Sequence, residues 1–101
     1  MSDKRSACPI ANVLYIVGDR WTLLVIRDIA VFKKPSFKEM AASPEGIAPS
    51  TLTARLDMLV AEKLITKTAI PDVPARQYRY ELTKRGRSLM PILNAMMEWN
   101  G

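Results

Sequence analysis

The stretch from Ser36 to Leu64 constrains the fold of this 101-residue chain more than any other stretch. Pro44 and Gly46 mark a tight turn within it, and turn residues of this kind separate helical segments. The second segment carries an apolar stripe at spacings of three and four residues, the period of an α-helix, formed by Leu52, Leu56, Leu59 and Val60. The stretch therefore predicts two helices joined by a tight turn, with one face of the second helix buried.

The other face of this second helix has the composition of a surface that approaches an anion. Small, polar or cationic residues lie near its start, namely Ser50, Thr51, Ala54 and, at the flank, Arg55. The first carboxylate of the helix comes only at Asp57. Short hydrogen-bonding side chains and one arginine let a helix lie close to base edges and phosphates in a DNA groove. We interpret this helix, which begins at Pro49 and ends near Glu62, as a DNA-recognition helix.

The charge distribution supports an anionic partner. The chain has a formal net charge of +5 and a sequence pI near 9.7, which favours nucleic acid, an anionic membrane or an acidic protein as partner. Residues 63–101 carry seven lysines and arginines against three carboxylates, whereas the charges within residues 32–62 cancel. Positive charge therefore gathers beyond the recognition helix, although charge alone is also compatible with an ordinary basic protein.

Residue types that support catalysis or metal binding are scarce. The chain has no histidine, which excludes Ser-His and Cys-His catalysis and His-ligated zinc. Its one cysteine, Cys8, excludes an intramolecular disulfide and a cysteine-built metal cluster within one chain. The sequence also lacks a Gly-rich phosphate loop and paired carboxylates at a pocket-like spacing. We therefore expect no enzyme, no cofactor and no metal.

The sequence has no feature of export or of membrane insertion. Its first residues, MSDKRSAC, lack the apolar core of a signal peptide, and no apolar run approaches the length that a bilayer requires. We expect a cytoplasmic protein without membrane contact. It should form one domain over residues 1–101, in which residues 1–7 are a flexible N-terminus.

Two helices are predicted ahead of the recognition region. Pro9 suits the first turn of the first helix, and Gly18 ends it. Asp19 caps the second helix, which runs from Arg20 to about Val31. These helices supply the surfaces against which the recognition region packs.

Local signals also place a short helix and a hairpin. Ser36 and Glu39 form a capping box at the start of the short helix. After Leu64 the polarity alternates with a period of two in residues 65–70 and 77–82, which are rich in β-branched and aromatic residues. Two prolines in the intervening turn cannot continue a strand ladder. The two segments are therefore predicted to form a β-hairpin.

The terminal helices carry more apolar surface than so small a domain needs for its core. Thr83 caps a last helix from Lys84 to about Asn100, in which Pro91 should cause a bend or an early break. Hydrophobic residues make up 49% of the chain, which favours a subunit interface. We predict a two-fold dimer interface at Ile10, Val13, Leu14, Val17, Leu89, Ile92, Leu93, Met96, Met97 and Trp99. The alternative is that both helices complete a monomeric core.

Motifs along most of the chain resemble those of a known family. In order, they are Cys8-Pro9, Gly18–Leu24, Phe37, Gly46–Pro49, Leu52–Leu56, Pro71–Pro74 and Tyr80–Gly86. Their order and spacing are similar to those of the HxlR-type bacterial transcriptional regulators, over roughly residues 8–100. The resemblance implies a mainly α (α+β) fold, a winged helix-turn-helix with a two-stranded β-hairpin wing and terminal dimerisation helices.

The resemblance also implies a mode of DNA binding. A homodimer would bind pseudo-palindromic, double-stranded operator DNA, with the recognition helix in the major groove and the wing near the adjacent minor groove or backbone. Thr51 and Ala54 stand where longer or cationic side chains are common in the family, which favours shape-based readout. The expected groove residues are Ser50, Thr51, Ala54 and Arg55, with Thr53 at the flank. The expected phosphate contacts are Arg76, Arg79, Lys34 and Lys38.

The sequence leaves two alternatives each for the role of Cys8 and for the partner of the winged helix. Cys8 matches the cysteine that several HxlR-type regulators use to sense oxidants or electrophiles. Lys4, Arg5 and the helix start at Pro9 would favour a thiolate there. The alternative is a partly buried, unreactive cysteine kept for packing, and the sequence identifies neither an oxidant nor a small-molecule effector. A winged helix can also serve as a protein-interaction module without specific DNA binding.

Overall fold

The computed structural model of the protein describes residues 7–101. The predicted flexible N-terminus lies outside the described residues except for Ala7, and so do Lys4 and Arg5. The elements follow one another as α1 (Pro9–Val17), α2 (Thr22–Ala30), α3 (Phe37–Ala41), α4 (Pro49–Ala61), β1 (Ile65–Ala69), β2 (Tyr78–Leu82), α5 (Lys84–Arg87) and α6 (Met90–Asn100). This order is that of a winged helix-turn-helix, and it confirms the predicted fold class.

Asp19 organises the turn between α1 and α2. Its Oδ2 accepts hydrogen bonds from the backbone N–H groups of Trp21, at 2.9 Å, and Thr22, at 3.0 Å. The predicted capping role of Asp19 is therefore confirmed. The helix begins at Thr22 rather than at Arg20, because the residues directly after Asp19 form the capping turn.

The core forms where α2, α3, α4 and the hairpin meet. Three stripe residues of α4 are at most 2% exposed, namely Leu52, Leu56 and Leu59. They belong to one buried cluster with Ile26 of α2 and Met40 of α3, and Val60 is half-buried beside it. Burial of each leucine side chain contributes about 1.5–3 kcal/mol relative to an exposed position. The stripe therefore fixes α4 with its opposite face outward.

The pair Ser36 and Glu39 caps α3 as predicted. The Glu39 N–H donates to Ser36 Oγ at 3.2 Å, and Ser36 Oγ donates to Glu39 Oε1 at 2.8 Å. The helix has only five residues, and α4 follows after a turn in which Gly46 has a φ of 73°. Glycine suits this left-handed conformation because a side chain would strain it. The turn therefore brings α4 back across α3.

The strands β1 and β2 form the predicted antiparallel hairpin. Each strand is one residue shorter than predicted, Ile65–Ala69 and Tyr78–Leu82. Tyr80 faces the core and is 6% exposed. Its N–H donates to Pro35 O at 2.8 Å, so the hairpin is attached to the connection between α2 and α3.

The predicted last helix is divided into α5 and α6. Thr83 caps α5 as predicted, since its Oγ1 accepts a hydrogen bond from the Gly86 N–H at 3.0 Å. The helix ends at Arg87, and α6 begins at Met90. Pro91 lies in the first turn of α6, where the N–H that proline lacks would have no partner within the helix. The predicted break therefore occurs just before Pro91.

The terminal helices are the least buried of the long elements. Helix α1 buries only Val17, and α6 has no buried residue. Within residues 7–101, no single helix is long and apolar enough to cross a bilayer. The helices α1 and α2 meet that criterion only as a pair, and they are bent by 73° relative to each other.

Candidate nucleic-acid interface

The predicted recognition face lies on the leading turns of α4. Among its residues, Thr51 and Arg55 are half-buried, and the exposed ones are Ser50, Thr53 and Ala54. The first turn contains no acidic residue, and the helix begins without a side-chain capping hydrogen bond. The positive end of the helix dipole is therefore not neutralised locally, which favours a phosphate nearby.

Arg55 is held against the start of α2 rather than extended into solvent. Its Nη1 lies 3.5 Å from Asp19 Oδ1, and its side chain is 30% exposed. Its Nε is buried and has no hydrogen-bond partner among residues 7–101. The guanidinium thus ties the recognition helix to the α1–α2 turn, and only part of it faces outward. Sequence reasoning assigned Arg55 to DNA and missed this partner.

Several hydrogen bonds keep the Asp19 carboxyl in its ionised form, which pairs with Arg55. Burial raises the pKa of the Asp19 carboxyl. Hydrogen bonds from the Thr22 side chain and from the backbone N–H groups of Trp21 and Thr22, together with the charge of Arg55, outweigh burial. The pKa of Asp19 therefore lies below its ordinary value of 3.8, and the carboxylate is ionised at neutral pH.

A second polar link holds the turn between α3 and α4. Arg27, on α2, donates two hydrogen bonds to Glu45 in that turn, from Nη1 to Oε2 and from Nη2 to Oε1, both at 2.8 Å. Paired bonds of this kind fix the orientation of both groups as well as their separation. The hydrogen bonds from Arg27 are the main reason why the pKa of Glu45 falls from 4.5 to about 2. Sequence reasoning did not identify this pair.

Asp28 continues this link into the protein interior. Arg27 Nη2 donates to Asp28 Oδ1 at 2.7 Å, and Ser43 Oγ donates to Asp28 Oδ2 at 2.6 Å. Asp28 is only 3% exposed, and a carboxylate at such a depth requires partners of this kind. Lys34 Nζ donates in turn to Ser43 Oγ at 3.1 Å. The ammonium of Lys34, a predicted phosphate contact, is therefore engaged inside the protein.

The wing and α3 present the remaining predicted phosphate contacts. Arg76 is exposed in the loop between β1 and β2. Arg79 is exposed on β2, where its Nε lies 3.5 Å from Glu81 Oε2. An exposed pair of this kind contributes little to stability. Lys38 is exposed on α3. All three cations can rearrange around a ligand without breaking a buried contact.

Most of the predicted interface residues are accessible in the single chain. The exposed fractions are 70% for Ile10, 41% for Val13, 57% for Leu14, 52% for Met96, 60% for Met97 and 91% for Trp99. The half-buried ones are Leu89, Ile92 and Leu93. The assignment of Val17 to the interface is wrong, because Val17 turns toward the body of its own chain and is 5% exposed.

Cys8 is exposed directly before α1. Its carbonyl oxygen accepts a hydrogen bond from the Asn12 N–H at 3.1 Å, which closes the first turn of the helix. A reagent in solution therefore has access to the residue. Within residues 7–101, no group of three or more Cys, Asp or Glu side chains is placed to hold a metal ion.

The sequence is similar to those of helix-turn-helix transcriptional regulators. The family model described as the HxlR-like helix-turn-helix matches residues 16–101. Three relatives are named as uncharacterized HTH-type transcriptional regulators, and they come from Synechocystis sp., Mycobacterium tuberculosis and Halalkalibacterium halodurans. Their identities to the chain are 35%, 37% and 31%, over 88%, 89% and 90% of its length. The chain spans 64%, 55% and 80% of their respective lengths.

Solved structures with a similar fold include two named regulators. The oxidised form of the redox regulator HypR is 29% identical, has a TM-score of 0.80, and the match covers 91% of this chain and 93% of HypR. The reduced form of the transcriptional regulator YodB from B. subtilis is 26% identical, with a TM-score of 0.73. That match covers 93% of this chain and 91% of YodB. The similarity therefore extends over nearly the whole chain.

The pair formed by Arg27 and Glu45 should make stability depend on pH. Because the pKa of Glu45 is lowered in the folded protein, the pair stabilises the fold above pH 4.5, and this contribution is lost as the pH falls through about 2. We expect the unfolding free energy of the wild type to exceed that of Glu45→Gln at neutral pH. This difference in unfolding free energy should become smaller as the pH falls from 4.5 to about 2. Urea unfolding at fixed protein concentration measures both quantities.

The variant Asp72→Asn is the matched control, because Asp72 is an exposed carboxylate in the loop between β1 and β2 and its φ of 61° suits asparagine. Its unfolding free energy should equal that of the wild type at every pH. If Glu45→Gln showed the same deficit near pH 2 as at neutral pH, the ionised pair would not be the source of the stabilisation.

Proposed function

Because the chain belongs to the HxlR-like helix-turn-helix family, we propose that it is a transcriptional regulator that binds operator DNA as a homodimer. The observation that carries the proposal is the exposed start of α4, free of acidic residues in its first turn, opposite the buried leucine stripe. Small side chains there let the helix approach base edges closely. The names of the relatives, HTH-type transcriptional regulators, support the same function.

In this proposal α4 enters the major groove and the wing lies along the adjacent backbone. The residues nearest the bases are Ser50, Thr51 and Ala54, and Thr53 lies at their flank. The phosphate contacts are Arg76, Arg79 and Lys38. Arg55 reaches DNA only with the part of its guanidinium that Asp19 leaves exposed. We assign Lys34 to the internal network, since contact with a phosphate would require it to leave Ser43.

The proposed dimer brings two copies of α4 to successive turns of the duplex. Isolated apolar residues at a surface need no explanation, but α1 and α6 expose a group of them, including Trp99 at 91% and Ile10 at 70%. A two-fold interface between these helices would bury that surface. It would also match a pseudo-palindromic operator, whose half-sites are related by the same symmetry.

The proposed function also has consequences for the location and the chemistry of the protein. We propose a cytoplasmic location and no catalytic activity, as suits a regulator that binds DNA. A protein-interaction module is the alternative function. An acidic surface on α4 would favour such a module. The first turn of α4 contains no acidic residue, so no specific observation supports this alternative.

Thiol responsiveness through Cys8 remains a separate hypothesis. Cys8 is exposed next to α1, one of the two proposed dimer helices, so a modification there would act on the interface. HypR, which has a similar fold, is named a redox regulator. Mass spectrometry and DNA titration after diamide treatment test the hypothesis. An unmodified Cys8, or a modified Cys8 with unchanged DNA affinity, would exclude the switch.

Fluorescence anisotropy tests specific binding to the DNA upstream of the chain's own gene. We expect the protein to bind this fragment more tightly than a scrambled duplex of equal length, by about 1,000-fold or more. Arg76→Ala should weaken binding to both duplexes. It should make the slope of log affinity against log salt shallower by about 0.9 per subunit, because one phosphate contact per subunit is lost.

The control for this substitution is Lys84→Ala, which removes the same charge from α5 and should leave the slope unchanged. Equal and weak binding of the wild type to both duplexes would overturn the proposal in favour of the interaction module. A loss of affinity confined to the upstream fragment would show that Arg76 contacts bases rather than phosphates.

Sedimentation equilibrium tests the proposed interface. Leu14 and Trp99 are 57% and 91% exposed, so Leu14→Asp and Trp99→Asp should not disturb the folded chain. Each should weaken a wild-type dimer at least about tenfold, because a charge would enter an apolar interface. Val31→Asp is the control, since Val31 is 46% exposed outside the terminal helices. A monomeric wild type, or equal dissociation of all three variants, would contradict the proposed interface.

A further inference from the structure

A groove runs between the end of α2, the hairpin strand β2 and the start of α6. Its volume is about 600 Å³, within the range of about 300–1,000 Å³ that is typical of small-molecule sites. Ile29 and Ala30 of α2 line it together with Leu82 of β2 and Met90 of α6. Among the lining residues, Arg79 alone belongs to the proposed DNA contacts, and none belongs to the proposed dimer interface. The groove is therefore a feature that the proposed function does not yet explain.

The groove has an excess of positive charge. Three cations line it, Lys33, Arg79 and Arg87, and Glu81 is the single carboxylate among the lining residues. Glu81 is paired with Arg79 at 3.5 Å. Lys33 and Arg87 therefore have no acidic partner within the groove. A groove with both apolar and cationic walls suits a ligand that has both an apolar body and a negative charge.

Polar groups on the β2 side of the groove already have hydrogen-bond partners. The Tyr80 N–H points away from β1 and donates to Pro35 O. The outer edge of β2 therefore faces the connection that follows α2. On this edge Leu82 O accepts a hydrogen bond from Arg87 Nη1 at 3.1 Å. The Arg87 guanidinium is thus oriented before a ligand arrives, which lowers the entropic cost of binding.

The charges of the groove argue against a second copy of the chain as its occupant. The helices proposed for the dimer, α1 and α6, carry one charged residue between them, Glu98. If either helix of a partner covered the groove, Lys33 and Arg87 would lose contact with water and gain at most one carboxylate. Burying cations without adequate partners is costly. A small anionic ligand satisfies the same cations at lower cost.

We propose that this groove binds a small amphipathic carboxylate. Its aromatic or aliphatic body lies along Ile29, Ala30 and Met90, and its carboxylate pairs with Lys33 and Arg87. The two uncompensated cations, Lys33 and Arg87, select a carboxylate over an uncharged molecule of the same shape.

Binding in this groove would oppose DNA binding. Arg79 lines the same groove and is also a proposed phosphate contact, so a carboxylate held by Lys33 and Arg87 attracts the Arg79 guanidinium into the groove and away from DNA. The groove also bridges β2 and the start of α6, so a ligand there would link the wing to a proposed dimer helix. This regulatory role rests on the proposed function, whereas ligand binding itself does not.

Isothermal titration calorimetry without DNA tests the site, with phenylbutyrate and octanoate as probes and phenylbutanol as the uncharged match. We expect both carboxylates to bind saturably and phenylbutanol to bind at least about tenfold more weakly, because it lacks the charge-assisted hydrogen bonds. Lys33→Asn should reduce carboxylate affinity by about tenfold and leave phenylbutanol unchanged. Lys33 has a φ of 55°, a conformation that asparagine accepts.

Two further variants complete the test. Lys63→Asn removes the same charge outside the groove, at an exposed residue whose φ of 59° matches that of Lys33, and should not change carboxylate affinity. Ala30→Phe fills the groove and should abolish binding of all three probes without changing the oligomeric state. Absence of saturable carboxylate binding at millimolar concentrations would overturn the proposal, as would equal binding of phenylbutanol and phenylbutyrate. Dissociation of a wild-type dimer by Ala30→Phe would also overturn it, since a second copy would then occupy the groove.

The regulatory role is tested separately by DNA titration with saturating phenylbutyrate. The slope of log affinity against log salt should become shallower by about 0.9 per subunit in the wild type, but not in Lys33→Asn. If phenylbutyrate binds and DNA affinity is unchanged, the regulatory role is overturned. If the protein binds no DNA at all, the proposed function fails, and the calorimetric result still decides whether the groove is a site.

Discussion

The ion pair between Arg27 and Glu45 is the contact that attaches the turn before the recognition helix to α2. The turn before α4 buries one apolar side chain, Ile47, at 8% exposure, and the ion pair adds a polar attachment to it. Two parallel hydrogen bonds attach this turn to α2, a helix with five buried residues, and Asp28 continues the attachment into the interior. At the flank of α4, the pair of Asp19 and Arg55 acts in the same way. The recognition helix is thus held at both ends of its leading turns.

Stability and proposed function use opposite sides of the same elements. Helix α4 buries three leucines and turns its small polar residues outward. Strand β2 turns Tyr80 toward the core and leaves Arg79 exposed. The terminal helices, in contrast, expose apolar residues that the single chain does not cover. A substitution on one side can therefore change DNA binding or association while the core stays intact.

Local sequence signals were sufficient to predict most of the fold, but they did not predict the long-range polar contacts. The caps at Asp19, Ser36 and Thr83 and the period of the leucine stripe depend on residues close in sequence, so they were predictable. The partners of Arg27 and Arg55 come together only after folding, and no pattern in the sequence joins them. For the same reason Val17 was assigned to an interface although it turns inward. The groove beside β2 is lined by residues of α2, β1, β2, α5 and α6, and no local pattern in the sequence indicates it.

We propose above all that the leading turns of α4 and the wing form the surface that meets DNA. Backbone amide NMR, recorded while the DNA upstream of the gene is added, tests it most directly. Chemical shifts should change mainly in residues 49–55 and in the wing loop at residues 70–77, with smaller changes in the core beneath. Changes concentrated elsewhere, with the start of α4 unaffected, would contradict the account.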